Sequence, residues 1–337
     1  MTISLISLDN TNEKTVDTFL KSLQSQDNQD FEVIICLNKK TEAKKIFKVL
    51  QSYKSFFGTR LVVIYNSKIN NFQHNLISAF RVIKGDYFTV LNSTTNLKRY
   101  HISTLIKAVK EQSADVIEFK PRIIGSIKWK PAKRLEAEKE MKIANNQQIL
   151  AYTFPMIFNK VFKTSLAKKL MKYKVENKND TKFCLEVMYM LMFEAKKYIY
   201  LDYRIFKENL GSDVWLVSNH FLRTFNLLIS YLKNSNIKLT QELTYAKYYF
   251  LKLILSGILS GTTFAYKNIW SEKNEISEKR SQLLIDKHFK LIQELESNNE
   301  FQVFTASNLY MNVVNNEVKA LKNNWKNKQS KILSSLE

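Results

Sequence analysis

The chain has 337 residues, 45% of them hydrophobic and 12% aromatic, and its 52 Lys and Arg against 31 Asp and Glu give a net charge of +21. That much apolar material buries a large core and excludes a disordered chain, and the length suits two domains or one domain with an extension. Six Gly and three Pro, against average usage of about 7% and 5%, exclude a turn-rich β-sandwich and low-complexity linkers, and favour helices with short connections.

The first 120 residues alternate apolar runs with amphipathic ones, the pattern of helices crossing over between parallel strands. Residues 3–8 read as a first strand. Val16, Phe19, Leu20 and Leu23 follow at helical spacing. The run FEVIICL at 31–37 is apolar enough for a strand covered on both faces. A helix around 44–53, a strand at 60–65 (RLVVIY) and a helix carrying Phe72, Leu76, Ala79, Phe80 and Ile83 come next. Gly85 is expected to close that helix as a C′ glycine before a fourth strand, DYFTVL at 86–91. Ile102, Leu105, Ile106 and Val109 mark another helix, and ADVIEF at 114–119 a fifth strand, hence a doubly wound sheet.

After Pro121 the alternation stops. The charge-rich stretch KWKPAKRLEAEKEMK at 128–142 reads as an exposed loop leading into a helix. From about residue 213 helix is expected almost throughout: 215–233, 239–265, 275–295 and 304–325. The abundance of Lys, Asn, Ile, Phe and Tyr is also what an AT-rich genome produces, so no single Asn or Lys carries weight by its type alone.

Cys36 and Cys184 lie in contexts that suggest no pairing, which suits a reducing compartment. His74, His101, His220 and His288 show no metal-ligand spacing. The opening MTISLISLDN lacks a basic segment followed by an apolar core and reads as a strand rather than a signal peptide, so a cytoplasmic location is expected. Residues 248–266 (YYFLKLILSGILSGTTFAY) are interrupted by Lys252 and read as a buried or interfacial helix rather than a membrane span. The net charge draws the protein toward anionic partners, with a plain solvated basic surface as the other reading. An anionic membrane surface is the expected one, at about 1 kcal/mol per basic residue near the leaflet.

Ligands of open α/β sheets bind beyond the carboxyl ends of the strands, here the loops after Leu8, Leu37, Tyr65 and Leu91. The series ISLISLDN, FLKSLQSQ, DFEVIICLNKKTE, KGDYFTVLNSTTN and ADVIEF resembles the nucleotide-sugar half of the family 2 glycosyltransferases, which have the GT-A fold. Farther on, FPMIFNKVFKTSLAKK is similar to the family's WNKLYKxxxL segment, ENKNDTKFCLEV to its EDxxFxxxL segment, and YIYLDYRIFKEN to its closing strand. The resemblance spans roughly residues 1–210. It implies a mostly parallel nucleotide-sugar-binding sheet over 1–210, followed by a helical C-terminal domain, membrane- or acceptor-associated, over 211–337.

The departures fall on the acids. Where the family has Asp-Asp before its Gly-Ser, this chain has Leu37 and Asn38, and the metal-binding Asp-x-Asp aligns with Asn92, Ser93 and Thr94. Carboxylates in that motif hold Mg²⁺ or Mn²⁺ against the diphosphate, and neutral Asn and Thr anchor a hard dication poorly. Asp86 is no substitute, because it starts the strand that Asn92 follows, about 20 Å away at roughly 3.3 Å per residue. No metal is expected, and the diphosphate charge would fall to cations such as Lys39, Lys40, Lys98 and Arg99, which are equally readable as solvated lysines and arginine.

By resemblance, Asp9, Asn38, Lys39, Asn92 and Thr94 bind the nucleotide sugar, with Asn10 beside Asp9. Asp180 matches the second acid of the family's Glu-Asp and is the candidate base; capping the helix that follows is the alternative use of the same carboxylate. Asn159 and Lys160 match the family's Asn-Lys pair and would shape the acceptor side, with packing as the other reading. The implied activity is transfer of a sugar, with inversion, from a nucleotide-diphosphate sugar to a lipid or cell-surface polysaccharide. A degenerate member that acts as partner or scaffold is the second reading. A nucleic-acid binder is the third, permitted by charge but supported by no motif.

Overall fold

The computed structural model describes residues 1–337 except 39–42, 68–70, 96, 177–181, 213–215, 268–273 and 326–328. Its contacts divide the chain into two compact units, one of residues 1–121, 136–146 and 156–208, the other of 122–135, 147–155 and 209–337.

The first unit is built on the expected repeat: β1 (Ile3–Ser7), α1 (Glu13–Gln24), β2 (Phe31–Asn38), α2 (Ala43–Phe57), β3 (Leu61–Asn66), α3 (Phe72–Phe80), β4 (Tyr87–Val90), α4 (His101–Gln112) and β5 (Val116–Phe119). β1 is buried throughout and β2 up to its last residue, so both are covered on each face, whereas β3 at the sheet edge is mostly half-buried. On α1 the four residues at helical spacing, Val16, Phe19, Leu20 and Leu23, are the buried ones. Two helices start on asparagine caps: Asn12 accepts from the Lys14 amide at 2.8 Å, and Asn71 from that of His74 at 2.8 Å.

Among the described residues the sheet has eight strands rather than five, in the order β3, β2, β1, β4, Lys160–Lys163, β5, Lys197–Leu201, Met141–Lys142. β1 pairs in parallel with β2 and β4, and β2 with β3. The strand Lys160–Lys163 enters antiparallel between β4 and β5. Strand order reverses beside β1, so the loops after β1, β2 and β4 share one carboxyl edge, the switch point where ligands of such sheets bind.

Gly85 has a different job from the one its position suggested. Helix α3 ends at Phe80, and Gly85 lies outside the left-handed region. A Cβ there would meet the Ser4 nitrogen at 2.7 Å and the Ile3 carbonyl carbon at 2.8 Å, so close approach to β1 requires glycine. Its amide donates to the Ser4 hydroxyl at 2.9 Å, which in turn donates to buried Glu32 at 2.6 Å.

The charge-rich stretch is exposed over most of its length, as its composition suggested, but its part in the second unit is anchored by buried residues. Trp129 is fully buried and forms a reciprocal backbone pair with Ile123, at 3.0 and 3.1 Å. Arg134 donates two 2.7 Å bonds to the Glu317 carboxylate, binds the carbonyl of Tyr152 at 2.8 Å, and lies 3.5 Å from the ring centroid of Tyr249. Its apolar stem and planar guanidinium are used for packing and fork-shaped bonding, which a charge count cannot reveal.

The helical region also departs from expectation. The helix expected over 239–265 runs as Thr240–Tyr248, a π-helical Tyr249–Leu255 and Ser256–Ser260; it stops at Gly261, ahead of the β-branched Thr262 and Thr263. Ala265–Lys267 and Asn274–Ile276 then form an antiparallel ribbon. The helix expected over 304–325 is broken into Asn299–Ser307, a 3₁₀ turn at Leu309–Met311 and Asn316–Lys322, with Asn298, Asn308 and Asn315 each capping a new start. Among the described residues no helix is long and apolar enough to cross a membrane. The π segment is wholly buried, and Lys252 within it pairs with Glu296.

Two buried histidines make stability depend on pH. In the second unit the Ser256 hydroxyl donates to the Leu251 carbonyl at 3.0 Å, so it accepts from His288 Nε2 at 2.7 Å, which leaves Nδ1 to accept from Ser218 at 2.7 Å. Burial lowers the pKa of His288 to about 4. In the first unit burial, assisted by the charge of Lys207, lowers that of His101 to about 4. The unfolded chain, with ordinary histidines near 6.5, takes up these protons first, so the stabilisation is complete above about pH 6.5 and is lost as pH falls toward 4. Urea unfolding at pH 7 and pH 5 should show a lower midpoint at pH 5, and a His288→Gln variant, less stable at pH 7, should show a shallower change between the two.

Candidate active site

The carboxyl edge of the first unit is held together by one amide. Asn92, fully buried just past β4, accepts at Oδ1 from the backbone amides of Leu8 at 3.1 Å and Asp9 at 3.2 Å, and its Nδ2 donates to Glu208 Oε1 at 3.2 Å. Ser93 adds a hydroxyl bond to the Asp9 carbonyl at 2.7 Å, and Thr95 one to the Lys207 carbonyl at 3.2 Å. Asn10 ties the same loop to the next strand, donating to the carbonyls of Ser7 at 2.8 Å and Cys36 at 3.0 Å. The loops after β1 and β4 and the segment ending at Glu208 thus form one hydrogen-bonded rim.

A buried ammonium completes this rim. Lys182 Nζ lies 2.8 Å from Glu208 Oε1 and 3.5 Å from Asp9 Oδ2, with the Lys182 and Glu208 side chains each only 2% exposed. Burial raises the pKa of the Glu208 carboxyl, against the opposing pull of Lys182 and the bond from Asn92. Two residues beyond Lys182, Cys184 holds a left-handed backbone, φ +48°, where the chain turns into the helix Leu185–Glu194. Strain of this kind persists where surrounding contacts over-determine it.

The structure brings together several of the residues expected at the site. Asp9, Asn92 and Thr94 lie on the loops of this edge, and Asn38 ends β2 in register with Asn66 of β3. The Thr94 hydroxyl is buried and has no hydrogen-bond partner among the described residues. Lys98 and Arg99 are exposed ahead of α4. Asp86 lies at the opposite end of β4, its amide bound to the Met1 carbonyl at 3.2 Å. Lys39, Lys40 and Asp180 lie outside the described residues.

Asn159 and Lys160 lie at the same edge, beside the end of β4, but their side chains are buried in a network of their own. Lys160 Nζ is 3.3 Å from Glu118 Oε1, and neither side chain has any exposure. Lys160 also donates to the Met156 carbonyl at 2.9 Å and to Asn159 Oδ1 at 3.0 Å, while Asn159 Nδ2 donates to the Phe119 carbonyl at 2.7 Å and Tyr198 donates to Glu118 at 2.6 Å. Glu118 and Lys160 face each other in register across neighbouring strands.

The residues of this edge do not fit a divalent cation. Both ends of the Asn92 side chain are committed to protein partners, and the two nearby carboxylates, Asp9 and Glu208, are already bridged by an ammonium. Among the described residues no group of three or more His, Cys, Asp or Glu is placed to hold a metal.

Residues 6–171 match the sequence profile of glycosyl transferase family 2. That stretch runs from the end of β1 through β2, β3, β4 and β5 to the strand Lys160–Lys163, in the order described above. Residues 6–171 therefore belong to glycosyl transferase family 2. No curated protein matches the chain. Among solved structures, S. aureus TarS 1–349 superimposes with a TM-score of 0.58 at 16% identity, over 74% of this chain and 72% of that one. The complex of TarS 1–349 with UDP-GlcNAc gives a TM-score of 0.55 at 13% identity, over 95% of this chain and 84% of that one. The longer TarS chain, matched at a TM-score of 0.56 and 16% identity, is covered over 44% of its length. At these identities the likeness establishes the fold, a GT-A sheet flanked by helices with a helical C-terminal region.

The family 2 region contains a buried ion pair whose single disruption is costly. Removing one partner leaves an uncompensated charge, at about 3–5 kcal/mol. Lys160→Met should lower stability by about that amount in denaturant unfolding, and adding Glu118→Gln should restore part of it. A loss below about 1 kcal/mol for Lys160→Met would show that the ammonium is not held as described.

Proposed function

We propose that this protein is a sugar transferase that takes its donor as a nucleotide-diphosphate sugar and delivers the sugar, with inversion, to a lipid or cell-surface polysaccharide acceptor. The observation that carries the reading is the placement of β1 between β2 and β4, which sets Asp9, Asn38, Asn92 and Thr94 on the carboxyl edge of one parallel sheet. That edge is where loop amides and helix N-termini receive phosphates. Membership of residues 6–171 in a family of nucleotide-sugar transferases supports the same chemistry. TarS, similar in fold, is known in complex with UDP and with UDP-GlcNAc.

In this reading Asp9 and Asn38 contact the nucleotide, the Thr94 hydroxyl donates to a diphosphate oxygen, and Lys39, Lys98 and Arg99 add positive charge. Asp180 takes the proton from the acceptor hydroxyl as its oxygen attacks the anomeric carbon, which inverts that centre while the nucleoside diphosphate departs. The net charge of +21 supports work at an anionic membrane surface, with the protein held peripherally at the cytoplasmic face. Asn159 and Lys160 brace the sheet beneath the acceptor side rather than touching the acceptor, in keeping with their burial.

One observation favours a second reading, a fold retained without catalysis: the Asn92 amide is engaged at both its oxygen and its nitrogen by protein partners. Thermal unfolding with UDP-sugars and GDP-sugars in EDTA separates the two. The first reading expects at least one donor to raise the midpoint by several degrees, and expects Asp180→Asn to keep that shift while reducing sugar transfer by 10²-fold or more. No shift with any donor would support the second reading, and full transfer by Asp180→Asn would remove Asp180 from the role of base.

A further inference from the structure

We propose that the Lys182 ammonium occupies the position of a divalent cation at the β1–β4 edge, so that the protein binds its nucleotide diphosphate without metal. The inference rests on the nucleotide-sugar reading above and assigns Lys182 as the residue that sets metal dependence. Asp9 follows β1, and Glu208 is hydrogen-bonded to Asn92 just past β4. The ammonium bridging these two carboxylates therefore stands at the phosphate-receiving edge, bound at 2.8 and 3.5 Å.

Charge bookkeeping explains why an ammonium suffices. Asp9 and Glu208 together carry two negative charges when ionised; Lys182 leaves one, and uptake of a proton by Glu208 leaves none. A metal at this edge would offset these acids as well as the diphosphate, and here the offset of the acids is covalently built in. The amide at 92 and the hydroxyl at 94 remove the two further carboxylates that a metal-binding Asp-x-Asp would bring. An Asp at 92 would set a carboxylate oxygen about 3 Å from Glu208, a like-charge contact that the amide turns into a hydrogen bond.

A dication and the ammonium cannot share the two carboxylates. Mg²⁺ or Mn²⁺ needs oxygen ligands at about 2.0–2.2 Å in a near-octahedral shell, and the buried Nζ fills the space between the acids. With the ammonium gone, buried Glu208 and half-buried Asp9 lose the cation that bridges them, and binding a cation would relieve them. Lys182 is also held in place: its side chain is 2% exposed, and the strained turn at Cys184 follows directly.

The test is Mn²⁺ titration of the full chain, read by electron paramagnetic resonance of the free ion, for wild type, Lys182→Arg and Lys182→Met. A parallel calorimetric titration of wild type with UDP and with GDP is made in EDTA and in Mn²⁺. Wild type and Lys182→Arg are expected to leave Mn²⁺ free, and Lys182→Met to bind it at least tenfold more tightly. Nucleotide affinity should be the same within about twofold in EDTA and Mn²⁺. Mn²⁺ binding by wild type, a folded Lys182→Met that gains none, or nucleotide affinity tenfold higher with Mn²⁺ would each overturn the proposal. The wild-type titrations decide even if Lys182→Met does not fold. If neither nucleotide binds in either buffer, the nucleotide reading fails, while the Mn²⁺ titrations still judge the role of Lys182.

Discussion

The carboxyl edge of the sheet depends on the side-chain amide of Asn92. An amide presents an acceptor and a donor at opposite corners, and this one uses its acceptor on the amides of Leu8 and Asp9 and its donor on Glu208. A carboxylate could make the first contact but would repel Glu208 in the second. The substitution that distinguishes this chain from the acidic motif of its family is thus also what joins the loop after β1 to the segment ending at Glu208. The proposed independence from metal and the hydrogen-bonded rim would both follow from the same atom exchange.

Buried charge is the second theme of the molecule. Lys160 and Lys182 in one unit, and Arg134, Lys247 and Lys252 in the other, are among the cations that a composition count assigns to the surface, yet each is buried against a carboxylate. Such pairs contribute little net stability relative to apolar packing, but they punish the removal of one partner and so fix geometry. The Lys160–Glu118 pair fixes the antiparallel strand between β4 and β5. The Lys182 bridge does the same for the site edge. The strongly positive total leaves many other cations for the anionic membrane surface proposed as a partner.

Much of the fold was legible because it rests on periodicity. Continuous apolar runs gave β1 and β2, and the spacing of Val16, Phe19, Leu20 and Leu23 gave the face of α1. The site edge was legible in part: Asp9, Asn38, Asn92 and Thr94 lie at the carboxyl ends of strands that the apolar runs marked, and the resemblance to the family singled them out. Lys182 was not, since its partners Asp9 and Glu208 are far from it in sequence and nothing in ENKNDTKFCLEV distinguishes an inward lysine from a solvated one. The neutral Asn92 was a usable hint, because an edge that loses its metal-binding acids must balance any remaining carboxylates with a cation. Asparagine was discounted as a compositional effect, and this misread the C-terminal unit: Asn308 and Asn315 start new helical segments where one continuous helix was expected. Gly85 shows the converse limit, since its helix-ending position was plausible and its true constraint, contact with Ser4, is long-range.

Binding of a nucleoside diphosphate at the proposed site requires the loops after β1, β2 and β4 to converge at one phosphate-receiving edge. Hydrogen–deuterium exchange of the wild-type chain, with and without a saturating nucleoside diphosphate, measures this directly. Joint protection of peptides covering residues 8–10, 36–38 and 91–95 is the predicted result. Protection confined to one of the three, or falling only on residues beyond 211 while binding is independently confirmed, would contradict it.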